Sequence, residues 1–75
     1  PPFPEADMQR ASETMRRLLA DGKRTIREAA ALCEREIGLG RGLSSRAALW
    51  LIANRKWPVD FSFRIAVDDI VVFLP

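Results

Sequence analysis

Residues 25–38, "TIREAAALCEREIG", constrain the fold more than any other stretch of this chain. Thr25 and Glu28 have the spacing of a capping box, in which each side chain satisfies an orphan backbone N–H at a helix start. Ile26, Ala29, Ala30, Cys33 and Ile37 then recur at helical spacing and form one apolar stripe. Gly38 is the expected stop, since glycine most readily takes the left-handed conformation just past a helix. A helix so marked must bury its stripe against neighbours.

Those neighbours are legible on both sides. "PPFP" (1–4) is a stiff, extended lead-in, and Pro4 suits a first helical turn. From Glu5, the residues Met8, Ala11, Met15, Leu18 and Leu19 predict a helix facing inward, with Gln9, Arg10, Glu13, Arg16 and Arg17 outward, ending at Asp21-Gly22. After the turn "LGRG", with Arg41 at its tip, a third helix starts at Ser44 or Ser45, either of which can cap it. It runs to about Arg55, and Pro58 forbids continuation.

Beyond Pro58 the pattern changes to period two. Phe61, Phe63, Ile65 and Val67 alternate with Ser62, Arg64, Ala66 and Asp68, and the β-branched run "IVVFL" follows. A two-residue Asp68-Asp69 loop would pair Val67 with Ile70, Ile65 with Val72 and Phe63 with Leu74, placing all six on one face. Such a loop is weaker than Asn-Gly because both central residues need positive φ, and a longer loop stays open. The expected fold class is α+β, three helices followed by a C-terminal β-hairpin in winged-helix-like order, one domain over 5–75.

Composition narrows the function. A chain of 75 residues, 48% of them hydrophobic, suffices for a single core and is too apolar for a disordered segment. One cysteine cannot form an internal disulfide, which points to a reducing, cytoplasmic setting. With no histidine and only Cys33, neither a metal site nor any other cofactor is expected. No apolar run reaches membrane-spanning length and no signal-peptide pattern opens the chain. The start at Pro1 reads as a piece of a larger protein. The formal net charge of +2 is compatible with nucleic acid. Bases concentrate in the first three quarters, whereas after Lys56 only Arg64 stands against Asp60, Asp68 and Asp69.

Thr25, Ile26, Glu28, Ala29 and Ala30, followed by Ser44, Ala48, Leu51, Ile52, Lys56, Trp57 and Pro58, carry a resemblance over roughly half the chain. They resemble the small winged helix-turn-helix DNA-binding domains of excisionases and mercury-resistance-type regulators. The resemblance implies a bacterial regulator or mobile-element protein whose third helix faces the major groove of double-stranded DNA. The turn between the two helices is longer here than in that family. Arg55 replaces a common glycine, Trp50 an arginine that often points to DNA, and the wing tip carries Asp68 and Asp69 instead of bases.

A helix-turn-helix reads base edges mostly with the N-terminal end of its second helix. That end offers Ser44, Ser45 and Arg46 as base contacts; the alternative is that the serines only cap and Arg46 is only solvated. Arg24, Arg27, Arg41, Arg55 and Lys56, at helix ends and turns, are the phosphate candidates. Trp50 and Trp57 are either core or, if exposed, a partner surface. Through them, or through the free edge of strand 70–74, the rival reading is a protein-docking domain, a homodimer included; a third is an accessory subdomain of a nucleic-acid enzyme. Catalysis by the chain itself is not expected. Glu28 is taken by its cap, Cys33 lies on an apolar stripe, and "GLGRG" lacks the strand-to-helix setting of a phosphate loop.

Overall fold

Helices α1 (Glu5–Leu19), α2 (Ile26–Ile37) and α3 (Leu43–Ala53) pack against one another in all three pairings. The computed structural model describes residues 4–38, 40, 42–60 and 65–74. Every inward residue expected of α1 is buried, from Met8 through Ala11, Met15 and Leu18 to Leu19. Pro4 stands at the N-cap, one residue ahead of the first turn, and its carbonyl accepts from the Met8 N–H at 3.0 Å. Glu5 and Asp7 in the first turn and Arg16 and Arg17 in the last complement the helix dipole.

α2 has the expected ends. The Glu28 N–H donates to Thr25 Oγ1 at 3.1 Å and the Thr25 N–H to Glu28 Oε1 at 2.9 Å, a complete capping box. Gly38, at φ 73°, donates its N–H to the Glu34 carbonyl. Its stripe of Ile26, Ala29, Ala30 and Cys33 is buried, with Ile37 half-buried at the rim.

α3 begins differently from the expectation. Neither Ser44 nor Ser45 is the cap: Gly42 holds that position at φ 82°, and no side chain caps it. Ser44 falls inside the first turn, and its N–H donates to Glu34 Oε2 at 3.2 Å. A carboxylate from α2 thus satisfies one of the orphan donors that a serine cap would have taken. At the other end, the Arg55 N–H donates to the Ile52 carbonyl and the Lys56 N–H to the Leu51 carbonyl, a Schellman closure with Arg55 at φ 55°. Left-handed φ costs a residue with a Cβ roughly 1–2 kcal/mol. Arg55→Gly is therefore expected to raise unfolding free energy by about 1 kcal/mol in urea melts. An unchanged or lowered midpoint would show that the arginine side chain offsets its backbone strain.

The expected C-terminal hairpin is not formed. Among the described residues there is no β-strand, only isolated antiparallel bridges Thr25–Ile70 and Val59–Phe73. The molecule is a three-helix globule with an extended tail, not an α+β winged helix. The turn lies one residue earlier than expected: the Asp69 N–H donates to the Ala66 carbonyl at 3.0 Å, and the Ala66 N–H to Asp69 Oδ2 at 2.7 Å. This arrangement spares Asp68 and Asp69 the positive φ that a two-residue hairpin loop demands.

Ile65 and Val67 keep the inward side expected of them, whereas residues 70–74 are turned over. Val71 is accordingly buried and Phe73 half-buried, while Ile70, Val72 and Leu74 are 41%, 52% and 51% exposed. The segment pairs with residues 58–60 instead of 65–67, through Asp60 N–H to the Val72 carbonyl and Leu74 N–H to the Pro58 carbonyl. Its upstream end meets α2, where the Ile26 and Arg27 N–H groups donate to the carbonyls of Asp69 and Val67. Phe61, Ser62, Phe63, Arg64 and the expected Phe63–Leu74 pair lie outside the described residues, as do Pro1–Phe3 and Arg41.

Candidate functional site

α3 is apolar on more than one face because α1 and α2 both pack on it. Ser44, Ala47, Ala48, Leu51 and Ile52 are buried. What remains outward is Arg46, then half-buried Leu49 and Trp50, then Ala53. The expected base-contact trio is divided. Ser44 is completely buried and cannot reach a base edge, Ser45 is half-buried, and Arg46 is exposed. Among the described residues Arg46 forms no ion pair.

The phosphate candidates are likewise divided. Arg24 is held at 3.2 Å by both the Leu18 carbonyl and Asp21 Oδ2. Arg27 pairs with Asp68 at 2.7 Å across the start of α2. Their hydrogen bond, and secondarily their opposite charges, hold Asp68 below the usual carboxylate range and raise Arg27. Both pairs are on the surface, where water screens them. Arg55 and Lys56 are exposed at the far end of α3, and Arg41 is outside the described residues.

Trp57 is not a partner surface. It is 2% exposed, its Nε1–H donates to Ser12 Oγ at 2.9 Å, and its ring lies 5.6 Å from that of Phe73. The Arg16 guanidinium covers the Phe73 ring at 5.2 Å. Trp50 borders a groove of about 670 Å³ between α1 and α3. Met8 and Leu51 supply its buried apolar part, and Glu5, Glu13 and Lys56 stand exposed around it. The sequence gives no sign of that groove, since Gln9 and Glu13 read there only as part of the outward face of the first helix. Burial raises the Cys33 thiol, opposed in part by the nearby Ser44 hydroxyl, so it is a poor nucleophile. The Glu28 carboxyl is lowered chiefly by the Thr25 backbone N–H and is committed to its cap.

No family model, curated protein or solved structure matches the chain. Among the described residues no group of three or more Cys, Asp or Glu side chains is placed to hold a metal ion, and no helix is long and apolar enough to cross a membrane. The functional reading therefore rests on the side chains just described.

Proposed function

We propose that this domain binds double-stranded DNA through α2 and α3 as a helix-turn-helix, α3 lying toward the major groove, as a module of a regulator or mobile-element protein. Arg46 carries the reading. It is an exposed guanidinium without an ion pair among the described residues, near the N-terminal end of the helix that follows the turn. A guanidinium so placed suits the O6/N7 edge of guanine. Ser45 is its neighbour for a base or a phosphate. Arg55 and Lys56 supply positive charge at the other end of the same helix, in reach of the backbone. The resemblance of residues 25–30 and 44–58 to excisionases and mercury-resistance-type regulators supports the two helices. No wing enters the proposal, and Arg24 and Arg27 are left to their carboxylates.

A salt-dependent titration of random-sequence duplex with the 75-residue chain tests it. Binding is expected at low salt, falling linearly on a log–log plot as salt rises. Lys56→Ala should weaken binding to every sequence and reduce that slope by about 1. Absence of binding at about 50 mM salt overturns the proposal.

A second reading, protein docking, is favoured by the exposed row Ile70, Val72 and Leu74. Contiguous apolar surface of this kind often marks an interaction site.

A further inference from the structure

We infer that the groove between α1 and α3 docks a basic amphipathic helix of a partner protein. Its apolar side lies on Trp50, Met8 and Leu51, and its lysine or arginine side chains meet Glu5 and Glu13. A groove of about 670 Å³ accommodates several side chains and falls within the range of preformed binding clefts. Its lining is amphipathic in an ordered way. Met8 and Leu51 are nearly buried, Trp50 is half-buried, and the carboxylates are exposed.

Glu5 and Glu13 both belong to α1 and neither forms an ion pair among the described residues. Separated by eight residues, they lie roughly 12 Å apart along the helix axis, with Gln9 midway. A partner helix carrying cations seven or eight residues apart matches that spacing. An aromatic ring beside carboxylates is also a favourable setting for ammonium or guanidinium groups. Lys56 at the groove's other side adds one positive charge, which fixes the partner's orientation by attracting an acidic residue. The same carboxylates repel phosphates, which separates this groove from the proposed DNA contact at Arg46. Lys56 enters both proposals, whereas Glu5 and Glu13, on which the peptide test turns, enter only this one.

The test uses two synthetic amphipathic peptides of about 16 residues, long enough to span both carboxylates. One carries leucines on one face and lysines eight positions apart. Its twin has glutamates in place of the lysines. Binding of each labelled peptide to the full chain is followed by fluorescence anisotropy at low salt. The lysine peptide is expected to bind at least about tenfold more tightly than its twin. The double variant Glu5→Gln, Glu13→Gln should bring the two peptides to nearly equal affinity with an unchanged circular dichroism spectrum. Trp50→Phe should weaken the lysine peptide less than Trp50→Ala does, as expected for an aromatic contact. Equal binding of both peptides by the parent chain overturns the inference. So does tighter binding of the glutamate twin, or displacement of the lysine peptide by self-association of the chain.

Discussion

Trp57→Ala is expected to remove a large share of the domain's stability. The indole is 2% exposed and joins three parts of the chain: α1 through Ser12, the exit from α3 where it stands, and the tail through Phe73. Truncating a buried tryptophan to alanine costs about 3–5 kcal/mol. It also strands the Ser12 hydroxyl and removes the tilted ring contact with Phe73. A domain of this size holds only about 4–11 kcal/mol in total at the usual stability per residue. The loss therefore consumes a large share of the whole. Thermal unfolding by circular dichroism should show a midpoint lowered by more than roughly 12 °C or no cooperative transition. Trp57→Phe, which keeps the ring and loses the hydrogen bond, should unfold cooperatively at an intermediate temperature. A Trp57→Ala melt within a few degrees of the parent would contradict the burial of this side chain.

The second large effect concerns recognition. Arg46→Ala is expected to weaken binding to a preferred duplex, selected from a random pool, by about 1–3 kcal/mol, or roughly 5- to 150-fold. Binding to random duplex should change far less, because the lost contact is to a base edge and not to phosphate. Ser44→Ala is the informative control. Among the described residues its buried hydroxyl has no hydrogen-bond partner, although it borders the Cys33 thiol. Removing it should leave DNA affinity unchanged. Equal affinity of parent and Arg46→Ala for both duplexes would remove Arg46 from the interface.

The three helices were legible because their signals are local. Thr25 with Glu28, Gly38, and the inward residues of α1 each state a rule that neighbouring residues suffice to obey. The start of α3 was misread for a tertiary reason. A serine cap is the local preference, but Gly42 accepts a left-handed φ and Glu34 reaches across from α2, so the cap falls two residues before Ser44. In the tail, alternation predicts a hairpin that does not form, because a period of two cannot name its partners. The turn that forms keeps both aspartates out of positive φ, and residues 70–74 pair with 58–60 and present the opposite face from the one expected. Of the site, Arg46 followed from helix order alone. The α1–α3 groove did not, since its two walls are some forty residues apart and only packing unites them.

The tail's hold on α2 bears on how this chain reaches its fold. α2 has the strongest local code in the sequence, yet its first amides are satisfied by carbonyls from the tail, where Arg27 and Asp68 are 41 residues apart. Closing a loop of that length carries an entropic cost before any contact compensates for it. The helix best equipped to nucleate early is thus completed late, and its first turn frays or firms with the far end of the chain.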